Sequence, residues 1–332
     1  MAWYNASWNY RQKLTLDTSE LSSSVTTDHA VLVKVDANTD FWDNVQSAGQ
    51  DVRFTSADGT TLLDYHFEKF VDNTQMIAWV EVVDTFDSST DTEVYMYYGN
   101  SGASDDQDEA GTYTADVKAV YHMTDGTDGT GNYDATVYGA STNTDGKMGG
   151  CYSFDGNNDY LLTTLTYGLS GAGAFAFSFW VYSGEDSVLR AMFSNDGTDS
   201  SIFYENGGDW NWASLGVGAD TAVLDGAWHM LTVTVRNSKW YSYVDGVVSI
   251  NGTDVTGQSD TTPAAWKIAS YNGSIQFYKG KMDEIKIFDA SLSDDEAKLL
   301  YLSESDTLIT FGSQESNAVD NDFFTMSLGC NF

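Results

Sequence analysis

Short runs of alternating apolar and polar residues, separated by clusters of Asp, Asn, Ser and Gly, recur along most of the chain. Alternation with a period of two predicts half-buried β-strands, and the polar clusters predict turns. In the first hundred residues the pattern predicts strands at 14–16, 30–35, 51–56, 76–82 and 93–99. Further along it predicts strands at 117–123, 151–156, 175–183, 230–236, 240–246, 274–280 and 283–288. The chain is therefore expected to be an all-β protein.

One segment breaks the alternation after the strand at 283–288. A short loop leads to Ser293, which three acidic residues follow at 294–296. Serine is a favoured N-cap residue, and acidic side chains in the first turn interact favourably with the helix dipole. The sequence therefore predicts a short helix directly after the last strand.

The polarity of the chain also predicts its division into domains. Residues 101–112 are polar and acidic without apolar periodicity, which is a linker composition. The predicted parts are a β-sandwich at 1–102, an acidic linker at 103–112, a second sandwich at 113–304 and a C-terminal tail at 305–332. The tail contains the apolar residues Phe323, Phe324, Met326, Leu328 and Phe332. Such anchors suggest docking on a neighbouring domain or subunit, with folding back onto the same chain as the alternative.

Several stretches resemble the laminin-G-like family, whose members fold as concanavalin A-like jelly rolls. They are GKMGGCYSFDGNNDYL at 146–161, FAFSFWVY at 175–182, WHMLTVTV from Trp228, YVDG at 243–246 and the strand-loop-helix segment at 280–301. The first hundred residues resemble a domain of unknown function that precedes laminin-G-like domains in prokaryotic and phage surface proteins. The resemblance rests on Trp8, Tyr10, Arg11, Phe41-Trp42, the run at 51–54 with Asp58-Gly59, Trp79-Val80 and Tyr97–Asn100. Neither resemblance implies catalysis.

Composition narrows the possible partners. Hydrophobic residues make up 42% of the 332 residues and aromatic residues 14%, enough for packed cores. The 49 acidic and 15 basic residues give a formal net charge of −34, which repels phosphate backbones and anionic bilayers. No window of 18 residues is apolar and uncharged. We therefore expect no nucleic acid partner and no membrane insertion, and the charge itself fits adaptation of a surface to salt water.

A glycine-rich loop at 124–134 offers carboxylates, an amide and free carbonyls. Calcium takes six to eight oxygen ligands, at about 2.3–2.6 Å, which this loop could supply. In the laminin-G-like family the early loop lies near a strand with an Asp-Glu pair, here Asp283-Glu284, so the resemblance implies a structural Ca²⁺ between them. The predicted ligands are Asp128, Asn132, Asp134 and Asp283. A solvated turn without a metal is the alternative.

A second loop, IFYENGGDWNW at 202–212, combines aromatic rings with carboxylates and amides. Sugar rings stack on aromatic side chains, and their hydroxyls bind carboxylates and amides. We therefore predict a glycan site there, with core packing of at least one tryptophan as the alternative. The predicted glycan-binding residues are Tyr204, Asp209, Trp210, Asn211 and Trp212.

Catalytic motifs do not occur in this sequence: there is no G-x-S-x-G, P-loop, H-E-x-x-H or dinucleotide-binding fingerprint. We predict that the protein is not an enzyme, although some glycoside hydrolases share the concanavalin-like sandwich. His229 is expected to be a strand residue with a satisfied imidazole. Cys151 lies in an apolar strand and is predicted to be a buried free thiol, not the disulfide partner of Cys330.

These inferences converge on a surface protein without catalysis. The N-terminus has neither a basic n-region nor an apolar h-region, so a route other than signal-peptide export is expected. The leading hypothesis is a homo-oligomeric decoration, fibre or spike subunit on the virion surface of a marine phage, which contacts other subunits through its tail and binds host glycans. One alternative is a secreted or cell-surface polysaccharide-binding protein of a prokaryote. The other is a capsid or filament component without a ligand.

Overall fold

A computed structural model describes residues 2–166, 173–183, 188–195, 202–206, 209–212, 217–221, 225–257 and 264–317. Between 202 and 221 it describes the backbone and one side chain, that of Phe203. The first part of the chain forms β1 (Tyr10–Leu16), β2 (His29–Val35), α1 (Thr39–Trp42), β3 (Arg53–Ser56), β4 (Leu62–Leu63), β5 (Tyr65–Val71), β6 (Gln75–Val82) and β7 (Thr92–Tyr98).

The second part contributes a longer series of strands. They are β8 (Val117–Tyr121), β9 (Ala135–Tyr138), β10 (Ser141–Asn143), β11 (Cys151–Asp155), β12 (Tyr160–Thr166), β13 (Phe175–Tyr182), β14 (Arg190–Asn195), β15 (Ile202–Asn206), β16 (Asp209–Trp212), β17 (Val217–Thr221), β18 (Trp228–Arg236), β19 (Lys239–Val244), β20 (Val247–Asp254), β21 (Ala265–Ile268) and β22 (Lys279–Phe288). Helix α2 (Asp294–Glu304) and strand β23 (Ile309–Ser316) follow. The prediction of an all-β protein with two β-sandwiches is confirmed.

The first sandwich pairs a five-stranded sheet, in the order β23-β1-β7-β3-β4, with a three-stranded sheet, in the order β2-β6-β5. Alternate residues of these strands, such as Leu14, Val33 and Phe54, are buried between the two sheets. Helix α1 buries Phe41 and Trp42 in the same core. The apolar half of each alternating run thus fills one core, because successive side chains of a strand point to opposite faces.

The second sandwich has an eight-stranded and a seven-stranded sheet. The first has the order β10-β11-β22-β13-β18-β19-β20, with β8 also paired to β22, and the second has the order β17-β16-β15-β14-β21-β12-β9. An aromatic core that includes Phe177, Phe179 and Trp266 lies between them. Cys151 is buried and free, as predicted, and burial raises the pKa of its thiol to about 12.

A third apolar cluster joins the two sandwiches. Ile77 and Trp79 of β6 are buried against Trp180 of β13, Met230 of β18 and Phe288 of β22. These residues belong to the faces of the three-stranded and eight-stranded sheets that point away from the two cores. The protein is therefore a stack of four sheets, with the five-stranded and seven-stranded sheets as the outer layers.

Helix α2 completes this junction. Ser293 is its N-cap, and a capping box forms because Ser293 and Glu296 each accept the other's backbone N–H, as the sequence predicted for the start of the helix. Leu299 and Leu302 pack into the core of the first sandwich, while Leu300 packs into the cluster between the sandwiches. The helix that closes the second sandwich is thus also part of the first.

The segment predicted as a docking tail differs from that prediction in its first part. Strand β23 pairs antiparallel with β1, so residues 309–316 fold back and complete the first sheet. Leu308 is buried in the first core, and Arg11 binds Glu315 at 2.6 Å. The apolar residues at 323–332 and Cys330 lie outside the described residues.

The predicted linker is also part of the first sandwich. Asp108 donates its backbone N–H to Tyr65, and Phe67 donates its own to the Gln107 side chain at 2.6 Å. Asp106 forms an ion pair with Arg53 at 3.0 Å. Residues 103–112 therefore run along the edge strand β5 and satisfy backbone groups that a sheet edge leaves open.

Candidate functional site

A group of ionisable side chains is buried between the two sandwiches, and we call it the interdomain cluster. It consists of His66 and Glu68 of β5, His122 after β8, Asp283, Glu284 and Lys286 of β22, and Glu304 at the end of α2. In β5 Tyr65 and Phe67 face the first core, so alternation turns His66 and Glu68 towards the second sandwich. Sequence periodicity alone does not show what covers that face.

A β-bulge brings two consecutive carboxylates into the interdomain cluster. Glu284 has a φ of +48°, and the register between β13 and β22 shifts between Ser178 and Trp180. Met282 and Ile285 on either side both face the second core, so Asp283 and Glu284 point together to the other face. A positive φ is rare for glutamate, and bulges with such backbone strain occur preferentially at functional sites.

The two histidines form the centre of the cluster. His66 Nε2 and His122 Nε2 lie 3.1 Å apart, and Tyr113 Oη lies 3.1 Å from His122 Nε2. The other ring nitrogens have separate partners: His122 Nδ1 is 2.8 Å from Glu284 Oε2, and His66 Nδ1 is 3.3 Å from Thr112 Oγ1. The His122 ring also stacks on Trp79. Three parts of the chain therefore hold the histidine pair.

The two imidazoles differ in pKa because their neighbours differ. Burial lowers the pKa of His122, but Glu284 raises it more, and the result is a pKa of about 9. Burial, followed by repulsion from His122 and Lys286, lowers the pKa of His66 to about 2. The surroundings therefore favour a positive charge on His122 over one on His66.

Acidic groups outnumber basic ones in the cluster. Lys286 binds Glu304 at 2.6 Å and lies 3.5 Å from Glu284, and Trp180 donates its indole N–H to Glu304. Burial, then the charge of Glu284, raises the pKa of Glu68 to about 7. Among the described residues, Glu68 Oε1 and Asp283 Oδ1 have no hydrogen-bond partner, and Glu284 Oε1 has only the ion pair with Lys286. The packing is tight, since a Cβ at Gly149 would lie 2.0 Å from Glu68 Oε1.

The predicted calcium loop is organised by its own hydrogen bonds. Asp128 is buried, and its carboxylate accepts backbone N–H groups from Val120, Thr130 and Tyr133, with the Thr130 hydroxyl at 2.6 Å. Asp134 accepts the backbone N–H of Asp128, and the Asn132 side chain donates to Thr130. In this geometry the loop is a turn stabilised by Asp128.

Asp283 does not join that loop. Its Oδ2 accepts the backbone N–H groups of Lys147 and Met148 at 2.7 and 3.2 Å. Asp128, Asp134 and Asp283 are not among the described groups whose oxygens and nitrogens lie within 4.8 Å of one another. In this geometry the three carboxylates do not converge on one point, and the four-ligand calcium site of Asp128, Asn132, Asp134 and Asp283 stays a prediction. Burial and the neighbouring Glu68 and Glu284 raise the pKa of Asp283 well above its usual range.

The predicted glycan loop forms the hairpin β15–β16. In its register Tyr204 lies opposite Asn211, Glu205 opposite Trp210, and Asn206 opposite Asp209, while Trp212 lies opposite the buried Phe203. The side chains of the five predicted glycan-binding residues lie outside the described part of the structure. The backbone places the hairpin in the seven-stranded outer sheet, and glycan binding there stays a prediction.

The sequence predicted Asp283 as a metal ligand but named no histidine as a site residue, so the interdomain cluster as a whole was missed. His229 was expected to be a satisfied strand residue. His229 has two carboxylate partners, Asp245 at 2.7 Å and Asp225 at 3.2 Å, in agreement with a satisfied strand histidine. The available signal for the cluster was a His-x-Glu pattern at 66–68, which places two ionisable side chains on one face of a strand that also contains three aromatic residues. Only the packing of the sandwiches brings that strand next to β22.

A cleft of about 370 Å³ opens beside the cluster, between β2, the segment at 113–117 and α2. Lys286, His29 and Glu296 contribute polar groups to its wall, and Phe288 and Leu300 contribute apolar ones. Among the described residues, no helix combines the length and the apolar character that a bilayer span requires.

Two protein families match this chain. Residues 155–298 match the family described as the Concanavalin A-like lectin/glucanases superfamily, Laminin_G_3. Residues 48–159 match a domain of unknown function, DUF2341, so this match begins in the first sandwich and extends into the second. A search of curated proteins found no match.

One similar solved structure is domain 4 of AbnA, an extracellular arabinanase from Geobacillus stearothermophilus, in complex with arabinotriose. It is 18% identical with a TM-score of 0.42, and the match covers 57% of this chain and all of that domain. The binding domain of botulinum neurotoxin serotype G is 14% identical with a TM-score of 0.44, covering 55% and 50%. Trypanosoma rangeli sialidase is 12% identical with a TM-score of 0.46, covering 73% and 43%. The chain spans about half or less of the latter two structures.

Proposed function

The chain carries a concanavalin A-like, laminin-G-like domain preceded by a domain of unknown function, and from this arrangement we propose that it is a non-catalytic surface protein that binds glycans. The first sandwich, β23 and α2 act as the base, and the seven-stranded sheet presents the binding surface. The layer order carries this proposal: the base covers the eight-stranded sheet, which leaves the seven-stranded sheet on the opposite outside.

A pair of aromatic rings on that outer sheet supports the proposal. Tyr138 and Tyr160 lie opposite each other in β9 and β12, and their rings stack 4.5 Å apart at 7°. Their neighbours Val137 and Leu161 pack into the core, so the two tyrosines point outwards, and Tyr138 is 41% exposed. Exposed flat rings are suitable surfaces for the apolar faces of sugars.

The buried carboxylates support the non-catalytic part. Two of the carboxylates Glu68, Asp283 and Glu284 would be needed for acid–base catalysis, but all three lie between the sandwiches with almost no exposed surface. A sugar bound to the outer sheet would be on the far side of the second core from them. Measurement of sugar release from bound polysaccharides tests this part, and turnover lost on a Glu68→Gln or Glu284→Gln substitution would contradict it.

Binding to an array of bacterial and algal glycans tests the adhesive part. We expect the intact protein to bind a limited set, and Tyr138→Ala and, in the predicted glycan loop, Tyr204→Ala each to weaken the monovalent affinity about 3- to 10-fold. Phe311→Ala removes a ring that is 36% exposed on the base and serves as the matched control. If the intact protein binds no glycan at any density, the purely structural alternative replaces this proposal.

We place the protein on the surface of a virus particle, in contact with further copies of itself. What supports this is the pairing of the two domains, which resembles the arrangement in phage and prokaryotic surface proteins. Many copies on one particle would compensate for weak single-site binding. Quantitative mass spectrometry should find the chain at a fixed copy number in purified particles. Recovery only from cell envelopes or culture medium would favour a prokaryotic surface or secreted protein.

A further inference from the structure

The histidine pair at the centre of the interdomain cluster has the geometry of a metal site. A ligand atom from each of His66, Glu109 and His122 lies within 4.8 Å of the other two. Two nitrogens at about 2.0–2.1 Å from a tetrahedral zinc ion would be about 3.3 Å apart, close to the 3.1 Å between the two Nε2 atoms. Tyr113 Oη, at 3.1 and 3.5 Å from these nitrogens, borders the same point.

The outer partners of both imidazoles fix their orientation. Thr112 Oγ1 donates to the Asp108 carbonyl, so it accepts from His66 Nδ1–H and leaves the lone pair of Nε2 free. Glu284 accepts from His122 Nδ1–H in the same way. Metal-binding histidines usually donate their second N–H to a carboxylate or another oxygen in this manner. Both Nε2 atoms thus point at one position, where they would otherwise need a proton between them.

The surroundings of this position favour a cation. Glu68 is buried nearby, and its Oε1 has no hydrogen-bond partner among the described residues, whereas Glu284 Oε1 has Lys286 Nζ at 3.5 Å. Buried negative charge without full compensation is costly, and a bound cation offsets it. Glu109 is exposed, which opens a path from solvent. Gly129 leaves room beside the site, since a Cβ there would lie 3.2 Å from Glu109 Oε1.

We propose that His66, His122 and Glu109 bind one divalent transition-metal ion of the Zn²⁺ type, with Tyr113 Oη beside it, and that this ion clamps the two sandwiches together. Imidazole and carboxylate donors suit Zn²⁺ and Co²⁺, whereas Ca²⁺ and Mg²⁺ prefer oxygen alone. His66 belongs to the first sandwich, Glu109 to the connecting segment and His122 to the second sandwich. The role is structural, because the ion would connect three parts of the chain that are separate in sequence.

The metal alone provides the first test. The full chain, freed of metal by chelation, is titrated with Co²⁺ in excess Ca²⁺, which occupies the many surface carboxylates. We expect visible absorption bands of four-coordinate Co²⁺ that saturate at one ion per chain and disappear when Zn²⁺ is added. Absence of a saturable band, together with no Zn²⁺ retained after dialysis, would overturn the proposal and leave a histidine pair that shares a proton.

Substitutions give the second test. Glu109→Gln changes an exposed ligand, so the fold should persist, and we expect Zn²⁺ affinity to fall at least tenfold. His66→Gln should abolish the Co²⁺ bands, and Thr112→Val, which removes only the orienting hydroxyl, should weaken Zn²⁺ about tenfold. His229→Gln is the matched control, since this histidine lies outside the cluster with two carboxylates of its own. Equal Zn²⁺ affinity in the wild type and in Glu109→Gln and Thr112→Val would refute the site.

Discussion

At the scale of single residues, Glu296 connects the start of α2 to the first sandwich. One carboxylate oxygen accepts the backbone N–H of Ser293 at 2.6 Å, and the other accepts the Thr27 hydroxyl at 2.7 Å. Burial opposes the charged form, but His29, the Ser293 N–H and Thr27 outweigh it and lower the pKa of Glu296 to about 2. The fold therefore stabilises the ionised form of Glu296, which carries its negative charge at neutral pH.

The lowered pKa of Glu296 predicts a pH-dependent contribution to stability. A carboxyl whose pKa is lower in the folded state stabilises above the unfolded value of 4.5, and this contribution is lost as the pH falls towards 2. We expect Glu296→Gln to lower the free energy of unfolding by about 1–2 kcal/mol at pH 7 and by much less at pH 3. Urea unfolding at a series of pH values measures this. The exposed Asp91→Asn should show no such trend, and a loss for Glu296→Gln that is independent of pH would contradict the assignment.

Lys286 is the buried cation that pairs with Glu304. Its removal by Lys286→Met leaves that carboxylate uncompensated, which should cost about 3–5 kcal/mol of unfolding free energy. Adding Glu304→Gln should restore most of the loss, because a neutral amide needs no counter-charge and its oxygen still accepts the Trp180 indole N–H. Lys298→Met, which removes a surface ion pair with Glu20, should cost less than about 1 kcal/mol. A double variant as unstable as Lys286→Met alone would show that the ion pair is not the source of the cost.

At the scale of elements, most of the predicted strands occur in the structure, because one face of each is buried in a core, although several further strands were not predicted. The predicted strand at 283–288 lies within β22, and that at 30–35 lies within β2. The predicted strand at 274–280 is wrong for most of its length, since among these residues only the last two belong to a strand. There the alternation of apolar residues accompanies irregular backbone with isolated bridges at Ile275 and Phe277. Apolar side chains at alternate positions can thus be present without the continuous hydrogen-bond ladder of a strand.

Strand β23 was not predicted because its partner lies about three hundred residues away in the sequence. Its pattern is mostly polar, and its stability comes from the β1 ladder and from contacts such as Arg11 with Glu315. Chains that end at 317 and at 308 both lack the residues after 317, so their difference isolates this strand. We expect the shorter chain to lose at least about 3 kcal/mol of unfolding free energy, given about 1 kcal/mol per hydrogen bond. Equal urea midpoints would mean that β23 contributes nothing.

At the scale of the whole molecule, the sequence predicted two sandwiches but not their union. Trp180 alternates with Phe177 and Phe179 along β13, so the strand pattern puts it on the opposite face of the sheet from those two core residues. It is buried between the sandwiches, and the face of a sheet that a second domain covers has no separate signature in sequence. The same limitation concealed the site at His66 and His122. Contacts between distant segments decide both, and local patterns carry no information on them.

The union of the sandwiches predicts that they unfold together. Strand β23 and α2 come from the end of the chain yet complete the first sandwich, and the cluster around Trp79 and Trp180 is shared. We therefore expect one calorimetric transition whose calorimetric and van't Hoff enthalpies agree, whereas two independently folding domains would give two transitions. Trp79→Ala, which empties the shared layer, should separate the transitions. Trp266→Ala creates a cavity of similar size inside the second core alone, so it should lower the transition temperature without splitting it. Two transitions in the wild type would mean that the interface is too weak to couple the sandwiches. The first sandwich could then not serve as a fixed base for the second.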